Sequence, residues 1–338
     1  MKTSDTNRIS HPTLIGGAAR SGKTALALAL QNSAGPIAGF PLEGVFHVYN
    51  RRRFPFFKTQ RKRILSEYLN RPRYTTSDRV HTESPIDYMG DQVAKISADI
   101  PSSITHQISL LGWVMDHFCE SQQCRSWAVF DLHPEFFFET YKKFIPNLRL
   151  AIMHRDPYEA IAAAMFWRSW PEAPPNRRKR FRLMLASWYM SNVVSDSLIQ
   201  KYPNSVSRFS FNMLCAGDKQ ELSRLTQFFP VGAAEIEKFF SFAPHFRFDR
   251  HSRFLTPKND WEKLLTSDEL SEIGALAKGI VSDPSIRFLL TFSARAPNLT
   301  RQILDAYLYP GKTARRHWNA LKQLMIDAQA GVQLRFNR

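Results

Sequence analysis

Short apolar runs alternate with helical patterns along most of the chain. "PTLI", residues 12–15, predicts a short strand that runs into a glycine-rich turn. "KTALALALQN", residues 23–32, is rich in Ala and Leu and predicts a helix. "ITHQISLLGWVMDHF", residues 104–118, has helical apolar spacing. "SWAVFD" is an apolar run closed by Asp131, the pattern of a buried parallel strand. "PEFFFETYKKF" predicts a helix with Pro134 in its first turn. "NLRLAIMHRDP" predicts another strand, ending at Arg155, after which Pro157 opens a helix to about Arg168. "APPNRRKR", residues 173–180, reads as a loop, and the 22 residues from Phe181 to Tyr202 as one long helix. "SVSRFSF" predicts a further strand, and the part near 230–338 is mainly helical.

Strands alternating with helices after a glycine-rich turn predict an α/β fold with a parallel central sheet flanked by helices. No repeat, low-complexity segment or clean linker interrupts residues 1–338, so one domain is expected. It carries a basic, proline-punctuated insert at 51–73.

Composition narrows the partners. Lys and Arg number 46 against 30 acids, a net charge of +16, which calls for an anionic partner. A nucleotide, an acidic acceptor and an anionic membrane surface all fit; no nucleic-acid motif accompanies the basic runs at 51–73 and 177–180. Cys119, Cys124 and Cys215 make neither a disulfide framework nor a zinc pattern. With the polar stretch "MKTSDTNRISHP" and apolar runs too short for a membrane span, the expected location is the cytoplasm.

The chemistry starts at Gly17-x-x-x-x-Gly22-Lys23-Thr24, a phosphate-binding loop as written. The glycines let the backbone turn, and the amides around Arg20, Ser21 and Gly22 meet an anion at a helix start, where the dipole also favours it. Two transfers share this logic of positioning and charge. Phosphoryl transfer from ATP needs Mg²⁺, held by Thr24 and a strand-end acid, for which Asp131 is the candidate unless it only caps the following helix. Sulfuryl transfer needs no metal. A third possibility is an anion-binding module without catalysis.

Read from Ala18, the loop is "AARSGKT", which resembles the 5′-phosphosulfate loop of the PAPS-dependent sulfotransferases (PAPS is 3′-phosphoadenylyl sulfate). Three further stretches resemble that family in order. "AGFPLEGVF", residues 38–46, is similar to a segment of bacterial glycolipid sulfotransferases, and the likeness puts Glu43 at their general base. "FIPNLRLAIMHRDPYEAIAAAMFWR" implies that Arg155 binds the 3′-phosphate of PAPS. "YPGKTARRHWNALK" resembles the segment that closes over the nucleotide, which brings in Lys312, Arg315, Arg316 and Trp318. Arg20 takes the place of the family's charged loop residue and is implied to act electrostatically. His133 and His47 are weaker candidates for the base. The chain departs from the family at Ala163, where a Ser helps hold the 3′-phosphate, at Lys23, where a small hydroxyl residue is usual, and at "FDLHP". The resemblance implies PAPS as donor, PAP (its 3′,5′-bisphosphate product) as the spent nucleotide, and a carbohydrate, glycolipid or other small hydroxyl acceptor.

Overall fold

The computed structural model describes residues 11–33, 37–40, 126–130, 133–166, 177–242 and 264–280, with Trp261 and scattered positions between 108 and 124. Within these, five short strands form one parallel sheet in the order β2-β3-β1-β4-β5. They are β1 (Thr13–Gly16), β2 (Ile37–Phe40), β3 (Ser126–Phe130), β4 (Arg149–His154) and β5 (Val206–Ser210). β1 lies at the centre, with Ile15 beside Phe130 of β3 and Ala151 of β4.

The strands are apolar because both faces are covered. Successive residues point to opposite faces, and the core divides accordingly. Leu14, Trp127, Val129, Leu150 and Ile152 fall in one cluster. It also takes in α3 (Pro157–Phe166) and α4 (Arg177–Lys201). Their neighbours Ile15, Ala128, Phe130, Ala151 and Met153 fall in the other. That second face is covered by α1 (Lys23–Asn32), α5 (Phe211–Cys215), α6 (Lys219–Phe228) and α7 (Ala233–Phe242). The predicted α/β class, parallel and flanked by helices, is therefore the fold observed.

Three details differ from the sequence expectations. The helix expected from Pro134 is split into a 3-10 turn, Pro134–Phe137, and α2 (Phe138–Phe144). All four residues of the tighter turn are buried, and His133 before it is left-handed at φ 49°. The run at 177–180, expected as a loop, is the first turn of α4. Its cations meet α8 (Ser267–Ala277): Arg177 pairs with Glu269 and Arg178 with Glu272. β2 had not been expected; it is set by pairing with β3, Ala38 beside Trp127. Among the described residues no helix is long and apolar enough to cross a membrane.

Candidate functional site

The order of the sheet decides where a ligand sits. The chain builds β2 and β3 on one side of β1, then crosses to β4 and β5 on the other. Open α/β sheets bind ligands beyond the carboxyl ends of strands at such a switch point. The loop that follows β1 and the turn that follows β4 meet there.

The loop needs its glycines. Gly17 and Gly22 have φ of 118° and 97°, which side-chain-bearing residues rarely adopt. There is no space either: a Cβ on Gly17 would lie 2.2 Å from the Met153 carbonyl, and one on Gly22 would lie 2.3 Å from the Phe211 ring. Arg20 is also left-handed, at φ 63°, a strained conformation of the kind that clusters at ligand sites. Gly22 is the N-cap of α1, so no side chain caps that helix, and its first turn holds no acid. With neither, the positive end of the helix dipole favours an anion there. Ser21 is 1% exposed and its Oγ has no hydrogen-bond partner among the described residues. A buried hydroxyl without a partner costs free energy unless a ligand completes it. Lys23 folds back on the loop, with Nζ donating to the carbonyls of Gly17 at 2.6 Å and Ala18 at 3.1 Å. Thr24 is half-buried beside it. This cradle fits the phosphate end of a nucleotide.

Beneath the loop lies a buried polar network. Glu135 accepts the Gly17 N–H at Oε2, 3.2 Å, and the Ser191 hydroxyl at Oε1, 2.6 Å. His133 Nδ1 stands 3.0 Å from Glu135 Oε1, and its Nε2 stands 3.0 Å from Ser187 Oγ. Burial pushes the Glu135 carboxyl up, but the hydrogen bond and charge of His133, the charge of Lys23 and the Ser191 hydroxyl outweigh it and hold the group down at about 2. An ionised carboxylate only accepts, so Nδ1 of His133 is the donor to it. Ser187 borders a small recess of about 10 Å³ with Ala18, Ala19, Ala160, Ala164 and Trp188. That is room for one water.

Arg155 lies on the other side of the loop and is 7% exposed. Its Nε donates to Glu159 Oε2 at 2.9 Å, a terminal nitrogen reaches the Arg20 carbonyl at 3.4 Å, and the guanidinium lies 5.1 Å from the centre of the Phe211 ring. Asn212 fixes the same carboxylate, donating to Glu159 Oε2 at 3.1 Å. Asp156 opens α3 by accepting the amides of Tyr158 and Glu159. Ala163 is buried within α3.

The structure thus brings Gly17, Arg20, Ser21, Gly22, Lys23, Thr24 and Arg155 together, with His133 enclosed below the loop. Glu43, His47, Asp131, Lys312, Arg315, Arg316 and Trp318 lie outside the described residues. Among the described residues no group of His, Cys, Asp and Glu could hold a metal ion. Sequence reasoning missed Glu135, Ser187, Ser191 and Glu159. Glu135 had one visible signal, a lone acid inside the apolar run "PEFFF".

No family profile and no curated protein matches the chain. A solved structure, sulfotransferase STF9 from Mycobacterium avium, matches over 81% of this chain and 78% of that one, at 15% identity and a TM-score of 0.40.

Proposed function

We propose that the chain transfers a sulfuryl group from PAPS to a hydroxyl of a carbohydrate, glycolipid or other small acceptor. The observation that carries this is the meeting of Arg155 with the loop backbone at Arg20. It sets a cation from the end of β4 beside the helix-start cradle that follows β1. PAPS and PAP are anionic at both the 5′ and the 3′ side of the ribose, so two neighbouring positive positions suit them. The phosphate chain of ATP or ADP uses only the cradle.

Bound there, PAPS supplies the activated sulfuryl group. The loop amides, Ser21, Lys23 and Thr24 hold its 5′ end, and Arg155 holds the 3′-phosphate. Arg20 cannot lose its proton and acts by charge. The acceptor hydroxyl must give up a proton as it attacks, and we assign that base to Glu43. His133 is the alternative, but it is 1% exposed and its ring nitrogens face Glu135 and Ser187, so an acceptor meets it only through Ser187.

Thermal unfolding with PAP or ADP, each with and without Mg²⁺, tests the reading. A ligand that binds only the folded state stabilises it by about 2.7 kcal/mol at 100 times its Kd. PAP is expected to raise the Tm without metal. Stabilisation by ADP with Mg²⁺ and not by PAP assigns phosphoryl transfer instead, on Lys23 and Thr24. No shift with either nucleotide overturns both.

A further inference from the structure

We propose that Glu135 is the positioning residue of the anion site: its carboxylate holds the Gly17 amide and so fixes the root of the phosphate loop against the β3 turn and α4. This rests on the loop as an anion site, not on the identity of the donor. β1 ends at Gly16, and the next amide, Gly17 N–H, turns to Glu135 Oε2 instead of a neighbouring strand. The contact is close. A Cβ on Gly16 would lie 2.8 Å from that same oxygen and 3.1 Å from Pro134. The other carboxylate oxygen takes Ser191, and His133 links it to Ser187. Ser187 and Ser191 are four apart and share one face of α4, so the helix grips the network at two points. Three elements far apart in sequence therefore converge on one carboxylate.

A carboxylate is a costly choice for a buried strut, since an apolar side chain of similar size would pack without desolvation. It also stands close to a site for negative charge, which it opposes. Two roles for Glu135 therefore predict opposite signs. As a plain counter-charge to Lys23, its neutralisation tightens anion binding. As the acceptor that orients the loop, its loss weakens binding.

Inorganic pyrophosphate, titrated calorimetrically into the whole chain, reads the loop whatever the donor is. Three variants separate the roles. In Glu135→Gln the amide oxygen still accepts from Gly17, and its NH₂ turns to Ser191, whose hydroxyl accepts as well as donates, and to His133 Nδ1, which accepts once its proton is on Nε2 towards Ser187. Glu135→Met fills similar space with no oxygen. Ser191→Ala removes a contact on the far oxygen only. Pyrophosphate affinity is expected to stay within about threefold of wild type in Glu135→Gln and to fall at least about tenfold in Glu135→Met, the usual worth of a bond to a charged group. Ser191→Ala keeps the Gly17 contact but loses one grip of α4 on the carboxylate, so it is expected to lower the Tm and to weaken pyrophosphate by less than Glu135→Met does, whereas a role in stability alone would leave affinity unmoved in both. Wild-type affinity in Glu135→Met, or tighter binding in Glu135→Gln and Glu135→Met alike, overturns the proposal. So does failure of the wild-type chain to bind pyrophosphate. If Glu135→Met does not fold, amide exchange in the wild type decides: Gly17 N–H is expected to be protected without ligand, and exchange at a free-loop rate overturns the proposal. If this pattern holds while PAP does not bind, the donor assignment falls and the role of Glu135 stands.

Discussion

Ionisable side chains in this chain differ widely in what they do for stability. Lys201 and Glu139 pair across open surface, with side-chain exposures of 59% and 48%, where such pairs contribute little. Glu135 has none of that exposure, and its partners hold its carboxyl down at about 2 against an ordinary 4.5. Because the folded value is depressed, the stability it gives is fully present above the ordinary value and is lost as pH falls from there towards about 2. That gap is worth roughly 3 kcal/mol, a large share of a typical folding free energy. Urea unfolding is therefore expected to show stability falling steeply from about pH 4.5 down towards pH 2 in the wild type, and a flatter slope over that window in Glu135→Gln. Equal slopes would mean that other carboxyls govern acid unfolding. Cys215 shows the opposite sense: burial, partly offset by Arg155, pushes its thiol up to about 12.

Elements whose signals are local were legible in the sequence. α1 begins at Lys23, one residue past a glycine that the loop requires, and β4 is an apolar run closed by Arg155 and Pro157. β2 was not legible because "IAGF" is four residues long with a glycine inside, and pairing with β3 makes it a strand. The start of α4 was misread because four adjacent cations look solvated. The first two, Arg177 and Arg178, meet carboxylates 92 and 94 positions later, on α8. In the same way, nothing near Glu135 in the sequence announces Gly17, which is 118 positions away. The α4–α8 junction also yields a prediction. Glu269 completes a capping box with Thr266 and meets Arg177 through both carboxylate oxygens, while Arg177 also donates to the Leu264 carbonyl. Thr266→Ala removes one cap contact, an expected loss of about 1 kcal/mol. Glu269→Ala removes the other cap contact and leaves a half-buried Arg177 without its carboxylate, so a larger loss, about 2–3 kcal/mol, is expected in urea unfolding. Equal costs for the two variants would show that the ion pair adds nothing beyond the cap.

At the scale of the whole molecule, the site exists only because the sheet places β4 beside β1. Arg20 and Arg155 are 135 residues apart in the chain, yet a guanidinium nitrogen of one reaches the carbonyl of the other. A net charge of +16 makes anions generally welcome, so weak binding of a nucleotide alone says little about that placement. The discriminating comparison is between PAP and adenosine 5′-phosphosulfate, because only PAP carries the 3′-phosphate assigned to Arg155. Arg155→Ala is expected to weaken PAP by about 1.5–3 kcal/mol, roughly tenfold to a hundredfold, and adenosine 5′-phosphosulfate far less. Glu159 sharpens the test. With Arg155 gone, its carboxylate keeps Asn212 but loses its cation, and it then repels a phosphate held nearby. Adding Glu159→Gln to Arg155→Ala is therefore expected to restore part of the PAP affinity and to leave adenosine 5′-phosphosulfate as it was. An equal loss for both ligands in Arg155→Ala would show that the residue supports the loop through the Arg20 carbonyl. No loss for either would show that its pairing with Glu159 already takes up its charge, and the 3′-phosphate assignment would then be wrong.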